Sequence, residues 1–221
     1  MDTFDSSQSI RLLNFEAYGI YKSISDILLE IRYLSRFFPT HPDETSSPNQ
    51  EHLDIHSTVC SIFQRLLQIE PDTEPGQYAA SVTECCRLAA AIFLFFLLEN
   101  HYPDPTRLIN SLLHKLQNAL GSIIPRSLNE NKLLVWVFAV GGVAALDLPA
   151  ERDWFVGHLT ELVAELGLIS WDKGKDCLQL VIWIDAMDEQ PFHELWNEAL
   201  TNITHMTTKA PFCAAYCWAR K

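Results

Sequence analysis

Leu133 to Pro149, reading LLVWVFAVGGVAALDLP, constrains the fold more than any other stretch. It is the longest nearly uncharged apolar run, with Lys132 before it and Asp147 near its end. A helix that is apolar on every side belongs at the centre of a core or in a membrane. The run is about 14 residues long, short of the roughly 20 that cross a bilayer. It therefore reads as a central buried helix over 133–147 with the other helices packed around it. Inside a helix, Gly141 and Gly142 each cost roughly 1 kcal/mol relative to Ala. The pair needs a reason: close packing of a neighbouring helix, which is the expected one, or space for a ligand.

Apolar residues at spacings of three and four mark helices on both sides of this stretch. The pattern predicts Ser9 to Phe38, ending at Pro39, then His52 to Ile69, Gln77 to Asn100 and Thr106 to Leu120 with Gly121 as its stop. Beyond Pro149 it predicts Arg152 to Leu166 with Gly167 as its end, Ser170 to Ala186, and Gln190 to Met206. Ser127, Asn129 and Asn131 are candidate caps for the central helix. Thr40 to Gln50 (THPDETSSPNQ) reads as an exposed, mobile loop over 39–50, too short for a domain linker. No sustained strand alternation and no Asn-Gly hairpin signal is present. The expected architecture is all-α, a single globular bundle of about eight to nine helices spanning residues 1–221.

With a formal charge of -12 and no Lys/Arg-rich run, the chain is not expected to grip a nucleic-acid backbone by itself. Arg32 with Arg36 and the terminal Arg220-Lys221 read as solvated surface. The start, MDTFDSSQS, lacks the basic residues and apolar core of a secretory signal. Leu88 to Leu98 is too short to span a bilayer, so no membrane span is expected and the chain reads as soluble. The cysteines, at 60, 85, 86, 177, 213 and 217, mostly sit in apolar helical patterns, as small buried hydrophobes do, and outline no disulfide framework.

Candidate chemistry is sparse. His52 and His56 share a helix face, but Leu53 stands where a zinc protease needs Glu, and Cys213-x3-Cys217 has no second pair nearby. No metal and no cofactor are expected. Asp185-Ala186-Met187-Asp188-Glu189 superficially resembles the magnesium-binding aspartate motif of helical terpene synthases. It precedes a helix, where acids complement the positive N-terminal end. No phosphate-binding glycine loop and no Gly-x-Ser-x-Gly elbow is present, so no catalytic centre is read and no enzyme is expected. Six tryptophans, at 136, 154, 171, 183, 196 and 218, crowd the C-terminal half. They read first as core, and second as partial lining of a cavity for an apolar ligand.

Five pieces of the C-terminal half follow one order: LLVWVFAVGGVAA, then Glu151-Arg152-Asp153-Trp154-Phe155, a helix ending Leu166-Gly167, Leu178-x4-Trp183-x-Asp185, and Phe192-x3-Trp196. With the upstream CCRLAAAIFLFF, this order resembles the C-terminal regulatory domain of fungal Zn2Cys6 zinc-cluster transcription factors over most of residues 80–200. The chain departs from that family's DNA-binding module, having no Cys-x-x-Cys and no adjoining basic stretch. It reads as the regulatory half alone, either a fragment or a stand-alone domain.

The resemblance implies transcription control in the nucleus and a ligand that shifts a masked state toward an active one. A small apolar ligand, a homodimer or a co-regulator protein are the implied partners. Phe95, Phe96, Trp136, Phe138, Gly142 and Trp183 are the candidate ligand-binding residues, and Arg152 is expected in a structural ion pair, Asp185 being one candidate partner. The rival readings are a helical enzyme or biosynthetic accessory protein acting on apolar substrates, and a dimerisation module.

Overall fold

The computed structural model describes residues 13–34, 48–69, 78–98, 105–123, 128–185 and 187–209. Among them the chain is all helix and turn, in the order α1 (Lys22–Leu34), α2 (Pro48–Gln68), α3 (Tyr78–Leu98), α4 (Pro105–Leu120), α5 (Leu128–Ala144), α6 (Pro149–Leu166), α7 (Trp171–Val181) and α8 (Gln190–Lys209). The expected all-α bundle of eight to nine helices is what forms.

The centre holds two helices. α5 packs against α3, α4, α6, α7 and α8, while α3 packs against α1, α2, α4 and α5. Phe93 of α3 and Trp136 of α5 join them, with ring centroids 5.8 Å apart. By length and composition alone α3 would pass as a membrane-crossing helix, yet 78% of its most apolar 18-residue window is buried inside the protein. Packing satisfies that surface, and burying apolar area is the main favourable term in folding.

The glycine pair of α5 has its reason in packing. A Cβ on Gly141 would run into the ring of Phe155 on α6, and one on Gly142 would come within 2.8 Å of Leu195 on α8. Each glycine lets a neighbouring helix approach at backbone distance. Gly174 on α7 does the same for the ring of Trp196.

Several local expectations are corrected. The first predicted helix is interrupted: Phe15–Tyr18 forms a short 3-10 turn, capped by the Asn14 side chain accepting from the Glu16 N–H. Gly19 then takes a left-handed φ of 72°, and α1 starts only at Lys22. Residues 9–12 and 35–38 lie outside the described residues. Of the predicted loop over 39–50, residues 48–50 belong to α2, with Pro48 in the first position, where its missing N–H costs nothing. The rest lies outside the described residues.

Asn129 and Asn131 fall inside α5 and not ahead of it, and Ser127 lies outside the described residues; Asn131 is buried and its Nδ2 donates to Glu165 Oε1 at 3.0 Å. α7 stops at Val181, five residues short of Ala186, and Ile182 is extended. The reason is tertiary: the Arg32 guanidinium takes the Leu180 and Val181 carbonyls, and Trp136 Nε1 donates to the Ile182 carbonyl at 2.9 Å. Arg32 is therefore no solvated residue. It also donates to Leu13 O and lies 4.4 Å over the Phe15 ring, stapling the N-terminal segment to α7, and burial lowers its pKa to about 10.

Candidate functional site

A cleft of about 660 Å³ opens where the α3–α4 side of the bundle meets the α5–α8 side. The last turn of α3 contributes Phe95, Phe96 and Leu97, and the first turns of α4 contribute Thr106, Ile109 and Asn110. The end of α5 and the turn after it supply Val143, Ala144, Leu146, Asp147 and Leu148. Met187, Asp188, Pro191 and Phe192 close the wall from the approach to α8. The size lies within the usual range for small-molecule sites, which are mostly apolar with a few placed polar groups. Phe96 and Phe192 meet edge-to-face at 6.3 Å, so α3 and α8 touch through rings at the cleft wall. Leu146 is 58% exposed, a large apolar side chain left open to solvent at this site.

Of the six candidate ligand residues, Phe95 and Phe96 line this cleft. The other four are elsewhere. Trp136 is buried and donates to the Ile182 carbonyl. Phe138 packs against Trp154, Phe155 and His158. Gly142 faces Leu195, and Trp183 meets Trp171 and Phe192. Among the described residues no tryptophan lines the cleft; its aromatics are phenylalanines. Sequence reading missed the turn residues Leu146 to Leu148 and the α4 residues Thr106, Ile109 and Asn110. The lone acid after a long apolar run, Asp147, was the one visible signal.

The acidic stretch before α8 is structural. Asp188 Oδ1 accepts from the Gln190 N–H at the start of α8. Glu189 accepts from Lys175 Nζ and, at 2.8 Å, from Trp171 Nε1, so these hydrogen bonds hold its carboxyl below the ordinary value. Asp185 is exposed. The three carboxylates do not converge on an ion, and no cluster of three His, Cys, Asp or Glu suited to a metal occurs among the described residues.

The expected ion pair of Arg152 exists, but its partner is Glu198 of α8, at 2.7 Å, and not Asp185. The same guanidinium donates to the Gly142 carbonyl at 2.8 Å, tying α5, α6 and α8 at one point just before the cleft wall. Burial pushes the Cys86 thiol up to about 12 and Cys177 to about 11, and raises Cys85 further, so all three stay protonated at neutral pH. Among the described residues Cys60, Cys85, Cys86 and Cys177 are free. The side chain of His52, and Cys213 and Cys217, lie outside the described residues.

The family model for the fungal-specific transcription factor domain matches residues 2–179. It reaches far upstream of residue 80, where the resemblance begins, and ends before the Trp183-x-Asp185 and Phe192-x3-Trp196 pieces. Over 89 residues the chain is 32% identical to the transcriptional regulatory protein pro1 of Neurospora crassa. That match covers 40% of this chain and 12% of the other protein. No solved structure matches the chain.

Proposed function

The chain belongs to the fungal-specific transcription factor domain family, and from that premise we propose that it is an effector-sensing regulatory domain in transcription control, acting in the nucleus and without catalysis of its own. The observation that carries this reading is the 660 Å³ cleft at the junction of the two central helices. A small apolar molecule lodged there touches α3, α4, α5 and α8 at once. Binding shifts a conformational equilibrium only as far as the ligand prefers one state. A cleft walled by the ends of four helices is where such a preference is greatest, because a small change in their mutual spacing alters every contact with the ligand.

Native mass spectrometry of the purified protein tests the reading. The expected result is a retained small molecule, lost from an Ala144→Phe variant that fills the cleft while circular dichroism stays unchanged. A protein that is empty, and whose melting temperature moves with no apolar compound in a diverse panel, overturns it. Asp188 and Glu189 are each engaged in structural hydrogen bonds, which weighs against a magnesium-binding aspartate motif as the basis of an enzyme reading.

A further inference from the structure

We propose that the cleft selects amphipathic amines, molecules with an apolar body and a protonated amine head. The proposal rests on the reading of the cleft as a small-molecule site and adds the chemical class of its occupant. The walls are aromatic and aliphatic, led by Phe95, Phe96, Phe192 and Ile109, and take the apolar body. Among the described residues the charged side chains lining the cleft are Asp147 and Asp188, both exposed, with no Lys, Arg or His beside them. Neither carboxylate is in an ion pair among the described residues, in a chain whose formal charge is -12.

Helix ends of both signs meet at the cleft. The N-terminal ends of α4, α6 and α8 oppose the C-terminal ends of α3 and α5. At about half a charge each, three positive ends against two negative ones leave roughly half a positive charge, which the two full carboxylate charges outweigh. Asp188 spends one oxygen on the Gln190 N–H, which leaves its charge in place. Among the described residues the field at the cleft is therefore dominated by two carboxylates. A carboxylate or phosphate ligand is repelled, a neutral ligand gains nothing from them, and an ammonium group is attracted.

Three probes with one apolar chain test this: decylamine, decanol and decanoate, each below its micellar concentration. Binding is followed by the 13C-methyl NMR signal of Met187, which sits in the cleft wall. The expected order is amine, then alcohol, then carboxylate, with the amine ahead of the alcohol by about threefold or more, as for a partly exposed ion pair. In the Asp147→Asn/Asp188→Asn double variant the amine falls to the level of the alcohol, whose own binding is unchanged. Both sites are exposed, and the Asp188→Asn side chain keeps an oxygen for the Gln190 amide, so the fold should hold.

As a second measurement, the amine preference shrinks when ionic strength rises from about 0.1 M to 1 M, because the screening length drops from about 10 Å to 3 Å. Decanoate binding as tightly as decylamine overturns the amine head, as does a preference unchanged in the double variant or by salt. In those cases the small-molecule reading stands. If no probe moves the Met187 signal, both readings fall.

Discussion

α3 and α5 are the two helices with core on nearly every side, and they admit their neighbours by different means. α3 does it with side chains: Ala89, Ala90 and Ala91 are wholly buried in mid-helix, followed by Ile92, Phe93 and Leu94. α5 does it with backbone: Gly141 and Gly142 give up their side chains so that Phe155 and Leu195 fill the space. Their buried arginines differ in the same way. α3 carries its own, Arg87, clamped by Glu84 one turn earlier at 2.6 Å and donating to Leu66 O of α2. α5 is held from outside by Arg152, a residue of α6 paired with Glu198 of α8. α3 thus supplies both members of its own buried ion pair, whereas the ion pair at the end of α5 comes from its neighbours. That end forms a wall of the cleft.

The comparison can be broken most directly at Arg87. Its side chain and that of Glu84 are 7% and 19% exposed, so Arg87→Met strands a nearly buried carboxylate and the Leu66 carbonyl. We expect a loss of about 3 kcal/mol in urea unfolding, partly recovered when Glu84→Gln is added. A loss below about 0.5 kcal/mol shows that the pair is hydrated and that α3 is not self-anchored.

The glycines come next. Gly141→Ala should cost about 2 kcal/mol by overpacking against Phe155, despite a helix-propensity gain of roughly 1 kcal/mol. Phe155→Leu in the same chain should return part of it. On α3 the reverse change, Ala90→Gly, should cost about 1 kcal/mol from propensity and roughly as much again for the lost buried methyl. A Gly141→Ala variant as stable as the parent erases the distinction between the two helices.

Arg152→Met should cost less than Arg87→Met, about 1–2 kcal/mol, since Glu198 is 45% exposed and water takes over its carboxylate. It should also loosen the end of α5, read as faster amide exchange at Val143 and Ala144 than in the parent. Unchanged exchange there would show that Phe155 and Leu195 place that end without the ion pair.

The smallest effect belongs to pH. Glu189 has its pKa lowered in the folded protein by Lys175 and Trp171. Its contribution is present above the unfolded value of 4.5 and disappears as pH falls through the folded value. The Glu189 side chain is 43% exposed, so solvent screening holds the contribution to about 0.5 kcal/mol or less. Glu189→Gln should flatten that acid limb of the melting temperature and leave the neutral plateau nearly unchanged.

How far the residues announced all this depends on the kind of pattern they form. α4 was legible almost to the residue, because Leu112, Leu113, Leu116 and Leu120 trace one buried stripe and Gly121 follows. α7 was overextended, because Leu178, Val181 and Ile182 keep a helical rhythm past the point where Arg32 and Trp136 draw the carbonyls away. Candidate site residues were hardest inside α5. A helix apolar all round carries no phase, so nothing along the chain says which neighbour each side chain meets. Phe95 and Phe96 fell at the cleft because they close a run at a helix end, where pockets between helices open.

The order of apolar and polar residues by itself determined an all-helical chain, the placing of most helices, a buried central helix and the family, although that helix runs over Leu128–Ala144 and the expected 133–147 span ends in an exposed turn at Leu146 and Asp147. These follow from local periodicity, from the cost of leaving apolar faces in water, and from packing residues in a recognisable order. Only the tertiary structure decided that the glycine pair serves Phe155 and Leu195, that Arg152 pairs with Glu198, and that residues from four helices and two turns enclose a cleft. Those contacts join positions far apart in the chain. Their energies depend on the three-dimensional distance between side chains, which local periodicity does not encode.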